Sequence, residues 1–284
     1  MQALWILGGV AIISIIIVTV TIWTKKAKWQ QHNKALTSIK QLKSVTSLLQ
    51  KHRGICAAYL QDNTQSPTAI SDLVKQISPL VTNLNYTSMI NQQDRWKRFT
   101  EHWERLSKSA TNLSLENSFL QHTDMVSNLL YLLEDIAEQQ HFNKNTFESL
   151  PNISLLWREL PFSAEYIGQS RAMGVAVAAS GLSTQVDKVK LGYLQTKITE
   201  LSTQVFLHFK NHGNHTSEQT QLIKFATEAC KRLIDVLEQE FLHCAEVKIA
   251  SQQYFTIASE SMDAINRLLD YELQQVEQHL KQSY

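Results

Sequence analysis

Two arginines interrupt apolar stripes, and they are the residues on which chemistry could turn. One stripe, at helical spacing, reads Ala35, Ile39, Leu42, Thr46 and Leu49, then Arg53, then Cys56 and Leu60. A second reads Ala164 and Ile167, then Arg171, then Gly174 and Ala178. A guanidinium keeps its proton, so burying it requires an anion beside it. On the same helix face the nearest positions lie three and four residues away. For Arg53 these are Leu49, Gln50, Cys56 and Ala57, and for Arg171 they are Ile167, Gly168, Gly174 and Val175. None is acidic, so the countercharge must come from another helix or from a bound anion. Two plainer readings stay open for each arginine: its head snorkels to solvent over a packed stem, or it pairs with a carboxylate across a bundle. Small residues surround both positions, namely Gly54, Ala57 and Ala58 in one stretch and Gly168, Ala172, Gly174 and Ala176 in the other. They leave room for close helix approach or for a small ligand. Glycine inside a helix costs about 1 kcal/mol against alanine, so its presence there calls for a reason.

Other candidate chemistry is weaker. The cysteines are Cys56, Cys230 and Cys244, odd in number and without a C-x-x-C spacing. They read as buried or idle thiols, neither a disulfide framework nor a zinc site. His208, His212 and His215 cluster near Asn211 and Asn214, but no cysteine or carboxylate joins them, and no metal is expected. Arg95, Lys97, Arg98 and Arg105 share a stretch with Trp96, Phe99, His102, Trp103 and Leu106. The apolar members are expected to be a core stripe with a solvated basic back. The net charge of +1 gives no bulk reason to expect nucleic acid as a partner. His-Glu-x-x-His, Walker-type and Gly-x-Ser-x-Gly patterns are absent, so neither an enzyme nor a cofactor is expected.

The elements that must position the arginines are helices. Gly (8) and Pro (4) are about 4% of the 284 residues, against roughly 12% in average usage. Few turns mean long elements, and helical periodicity runs through everything after Trp23. Helices are expected near 33–62, 67–84, 92–110 and 114–140. A short one follows near 153–160, then one from Pro161 to Gly181, and others near 183–211, 217–246 and 251–281. Pro79 is expected to kink or break the second, and Ser66-Pro67 and Thr216 with Gln219 read as helix starts. The fold class is all-α, with two adjacent four-helix bundles over about 36–145 and 150–275. Ahead of them, residues 3–23 carry no charge and have Trp5 and Trp23 at their ends. They are expected to be a transmembrane helix in contact with lipid, within an anchor at 1–24, and a basic juxtamembrane linker follows at 25–35. Lysines and Arg53 downstream, with no acid before Asp62, would place the rest of a single-pass chain on the cytoplasmic side of the inner membrane. Residues 276–284 read as a tail.

The stretch His52-Arg53-Gly54-Ile55-Cys56-Ala57-Ala58-Tyr59-Leu60 resembles the first motif of the nitrate- and nitrite-sensing (NIT) domain family, which carries Arg-Gly followed by small residues. Ala164-Glu165-Tyr166-Ile167-Gly168-Gln169-Ser170-Arg171-Ala172-Met173-Gly174 is similar to the second, in which Gly and Gln precede an Arg. Gln253-Tyr254-Phe255-Thr256-Ile257-Ala258-Ser259, followed by Met262, Ile265 and Leu269, looks like the family's closing helix. The resemblance spans about 36–275. It implies two four-helix bundles side by side, and nitrate or nitrite as the ligand. Arg53 and Arg171 would contact the anion, supported by Gly54, Ala57, Gly168, Gln169 and Gly174. The signal would leave through a separate output protein or a second copy of the chain. The rival expectation is a tethered helical scaffold that binds another protein and no small molecule. In that case each arginine would be clasped by a carboxylate of the fold.

Overall fold

A computed structural model describes residues 2–62, 66–212, 215–244 and 246–282, with side chains described from residue 12 onward except at Asp62. Among the described residues there are nine α-helices and no strand: α1 (Gln2–Asp62), α2 (Pro67–Asn85), α3 (Ser88–Asn91), α4 (Asp94–Ser109), α5 (Leu115–Gln139), α6 (Glu159–Ser180), α7 (Gln185–Asn211), α8 (Ser217–Val236) and α9 (Ser251–Gln282). The starts follow from side chains that satisfy free backbone N–H groups. Ser66 accepts from Thr68, Ser114 from Asn117 and Thr216 from Gln219, while Thr184 and Asp187 make a full reciprocal box. Gly181 ends α6 at φ +71°, the left-handed conformation that glycine takes without strain. Pro79 does not break α2. It lies on the exposed face, where water can take the carbonyl that it leaves free. The expected helix at 153–160 is one 3-10 turn, Ile153–Leu156, followed by the start of α6. The helix expected to reach 246 ends at Val236 and runs on as a single π-turn, Leu237–Leu242.

Helices α1, α2, α4 and α5 pack on one another, as do α6, α7, α8 and α9. The two groups meet where α1 and α5 touch α6 and where α1 touches α9. One continuous core results. It includes Leu42, Val45 and Leu49 of α1, Trp96, Phe99, Trp103 and Leu106 of α4, Ile167 of α6 and Ile265 and Leu268 of α9. The aromatic stripe of α4 is therefore buried.

The expected membrane placement is overturned. Among the described residues no helix is long and apolar enough to cross a membrane. The described apolar part, Ile12–Trp23, measures about 18 Å along a helix axis against roughly 30 Å of hydrocarbon. The remainder of the expected 3–23 span lies outside the described side chains. The lysines that set the expected orientation also serve the fold, since Lys40 pairs with Glu277 and Lys43 with Asp270, both on α9. The stretch read as a linker is part of α1: Trp29 donates to the Leu280 carbonyl at 2.8 Å, and His32 and Ala35 are buried. Residues 276–282, read as tail, belong to α9 and bury Val276 and Leu280.

Candidate functional site

The two arginines of the sequence pattern lie on α1 and α6 at the meeting of the helix groups. Arg53 is 2% exposed. Its guanidinium grips a fully buried carboxylate, Glu165 of α6, through two parallel bonds: Nη1 to Oε1 at 2.5 Å and Nη2 to Oε2 at 3.2 Å. Nη1 also donates to Thr123 Oγ1 at 3.1 Å, and the charge lies over the Phe119 ring at 5.5 Å. Glu165 is satisfied further by Gln50 Nε2 at 2.8 Å and Gln169 Nε2 at 2.9 Å. This planar fork on a planar carboxylate is the strong form of charged hydrogen bond, and every group in it has a partner.

Arg171 differs. It is half-buried, donates from Nη1 to Ser259 Oγ at 3.0 Å, and lies over the Phe255 ring at 5.2 Å. Among the described residues no carboxylate reaches it within ion-pairing distance. Its pKa is held below the usual arginine value, first by burial and then by repulsion from Arg53. Asp263 and Glu165 attract it from farther off. Arg53 and Glu165 thus balance each other, while Arg171 has no carboxylate in contact among the described residues and feels Asp263 and Glu165 only at longer range.

The small residues turn out to admit side chains of the fold. A Cβ on Gly168 would come within 3.1 Å of Arg53 Nη2 and 3.6 Å of Met262 Sδ. A Cβ on Gly174 would lie 2.2 Å from the Tyr254 ring, whose buried hydroxyl donates to the Ser170 carbonyl at 3.0 Å. Gly54 is exposed with open space beside it, so it does not belong to the cluster, and Ala57 is half-buried on α1. Gln169 does belong, as a donor to Glu165.

No protein-family model and no curated protein matches this chain. Among solved structures it is similar to the NasR transcription antiterminator, at 13% identity, a TM-score of 0.68, and coverage of 94% of this chain and 74% of that one. The likeness is one of fold. It supports the NIT-like fold that the motifs imply.

Sequence reasoning found both arginines and missed Glu165, Thr123 and Ser259 as their partners. Glu165 was visible as the lone acid between Pro161 and Ser180. It is six residues from Arg171 and serves the other arginine, so a search along one helix face passes over it. Of the histidines near 208–215, His208 contacts the Pro151 carbonyl and stacks on His212, and His215 contacts Gln219 and the Phe209 carbonyl.

Proposed function

We propose that this chain is a non-catalytic binding domain for one small monovalent oxyanion, nitrate or nitrite, and that Arg171 and Ser259 receive it beside the Arg53–Glu165 pair. The observation that carries the reading is the charge balance. Arg53 has its carboxylate in Glu165, whereas the partly buried Arg171 beside it has none in contact among the described residues, and a single bound negative charge would supply it. Nitrate and nitrite present an O–N–O edge with the shape of a carboxylate, which suits the guanidinium fork. The resemblance of both arginine motifs to the NIT family and the likeness in fold to NasR point the same way.

An exposed apolar stripe on the helix that packs on α6 is the outlet we assign to a signal. Helix α7, which packs on α6, carries Leu182 at its entry and then Val186, Val189 and Tyr193, all exposed and on one face. Tyr193 meets Tyr166 of α6 edge to face at 6.4 Å. We assign this stripe to a partner, either a separate output protein or a second copy, because a shift of α6 would reach it directly.

Calorimetric titration of the full chain with nitrate, nitrite and chloride tests the ligand. One nitrate or nitrite should bind per chain, and Arg171→Ala should abolish the heat while the helical circular dichroism persists. Silence towards all three at concentrations on the order of millimolar, where even about 4 kcal/mol of binding registers, would remove the sensor reading. The scaffold reading has one observation in its favour, the clasp of Glu165 on Arg53. It requires that Arg171→Ala leave every titration unchanged.

A further inference from the structure

On the far side of Arg53 lies a cluster that neither the arginines nor the packing requires. His52 and Cys56 sit one turn apart on α1, and His122 reaches them from α5. All three are fully buried, and their ligand atoms lie within 4.8 Å of one another. His52 Nδ1 is 2.8 Å from His122 Nε2, and Cys56 Sγ is 3.5 Å from His52 Nδ1. We propose that His52, Cys56 and His122 bind one soft monovalent metal ion, Cu(I), through two imidazole nitrogens and a thiolate.

The geometry is close to what such an ion needs. Bonds of about 2.0 Å to nitrogen and about 2.3 Å to sulfur put the donors of a three-coordinate site roughly 3.5–3.7 Å apart. The Cys56 Sγ–His52 Nδ1 distance already fits, His122 Nε2 lies within 4.8 Å of the sulfur and must draw closer, and the nitrogen pair has to open by less than about 1 Å. The support for the ligands is in place as well. His122 Nδ1 lies 2.6 Å from the Ser118 carbonyl, which fixes its proton there and leaves Nε2 with a lone pair facing His52. The His52 ring is held edge to face by Trp103 at 5.3 Å. Without metal, the His52 Nδ1 proton fills the gap between the two nitrogens.

Charge selects the ion. Two imidazoles and one thiolate would bring a single negative charge into a fully buried place. A monovalent ion with one thiolate keeps it neutral. A divalent ion would leave a net positive charge in that fully buried place. Thiolate and imidazole also suit a soft ion. The exchange balances: the metal joins both nitrogens and the sulfur, the His52 proton moves to its Nε2, and the Cys56 proton leaves to solvent. One proton is released per ion, and no atom changes oxidation state.

Because the three side chains are fully covered, the full chain is loaded both directly and by refolding from denaturant. Both are done without oxygen, with Cu(I) supplied from an excess of a weak chelator and with Zn(II) in a parallel arm. After desalting, one copper per chain should remain and zinc should not. X-ray absorption should show one sulfur and two nitrogens around copper. Cys56→Ala and His122→Gln should each lose the metal, whereas Cys230→Ala and Cys244→Ala should keep it. Absence of copper after refolding, retention undiminished in Cys56→Ala, zinc held as firmly as copper, or a wild-type absorption spectrum without sulfur would each overturn the proposal. The spectrum decides the matter if a variant does not fold.

Discussion

Replacing Glu165 by glutamine removes one charge and almost no volume, and so it isolates what the buried carboxylate does. Glu165 accepts four hydrogen bonds, two from Arg53 and one each from Gln50 and Gln169. Glutamine offers one carbonyl oxygen and points an amide N–H₂ at groups that themselves donate. Breaking a buried pair by removing one partner costs roughly 3–5 kcal/mol, because the remaining charge stays uncompensated. At about 2–4 °C per kcal/mol for a domain of this size class, the melting temperature should fall by about 6–20 °C. The anion reading adds a second expectation. The variant leaves Arg53 uncompensated beside Arg171, one positive charge more than in the parent, so an added anion has more to neutralise. Nitrate should raise the melting temperature of Glu165→Gln by more than it raises that of the parent, with a ceiling of about 2.7 kcal/mol when nitrate reaches 100 times its Kd. The assay is thermal unfolding followed by circular dichroism, with nitrate against chloride at matched ionic strength. A loss below about 2 °C would show that Arg53 does not depend on Glu165. Equal nitrate shifts in parent and variant would show that the anion does not sense the cluster's charge.

Other outcomes follow from the same geometry. Gly174→Ala forces a methyl group into the Tyr254 ring and should cost about 1–3 kcal/mol, read as a lower urea midpoint. Gly54→Ala, in open space on an exposed helix face, should instead add up to about 1 kcal/mol, and the opposite order of the two would refute the packing account. Burial raises the pKa of Glu272, against the hydrogen bonds from Gln219 and Asn152. An acid with a raised folded pKa is more easily ionised in the unfolded chain, so its contribution turns unfavourable as pH rises past the ordinary carboxylate range. Glu272→Gln should therefore raise the urea midpoint at pH 7 and leave it nearly unchanged at pH 4; an equal change at both pH values would refute burial as the cause.

What the sequence shows and what it hides divides along contact distance. The α4 stripe of Trp96, Phe99, Trp103 and Leu106, the end of α6 at Gly181 and the starts at Ser66, Ser114 and Thr216 are local patterns, and all were legible. Helix α3 has four residues, too few to show periodicity, and the π-turn after α8 leaves no mark in composition. The site was half legible. An arginine in an apolar seam announces that an anion is needed, but Glu165 lies 112 residues from Arg53 and His122 lies 70 from His52. Such pairs exist only once α1 is set against α5 and α6. The apolar N-terminal stretch misled for a related reason: lysines read as topological signals are tied to acids on α9, which spacing along one helix cannot reveal.

How an anion would enter decides what it could signal. In one route it displaces Glu165 from Arg53. That leaves a fully buried carboxylate with only Gln50 and Gln169, an outcome that costs several kcal/mol and offsets most of what the new pair contributes. In the other route it adds beside Arg171, where, among the described residues, the side-chain hydrogen bond to give up is that to Ser259. Addition neutralises the excess charge and relieves the repulsion between the guanidiniums without stranding any group, so it is the cheaper route. Its mechanical consequence is specific. Ser259 lies on α9, whereas Arg53 and Thr123 lie on the other helix group. If an anion binds there, turning Arg171 from Ser259 towards it would loosen α6 from α9 and draw α6 towards α1, and α7 would move with the helix on which it packs. A ligand can shift such a balance only by its difference in affinity for the two packings. Locking α6 to α9 by a disulfide at a pair of positions other than Arg171 and Ser259 should thus abolish binding, and a tether between α6 and α7 should leave it intact.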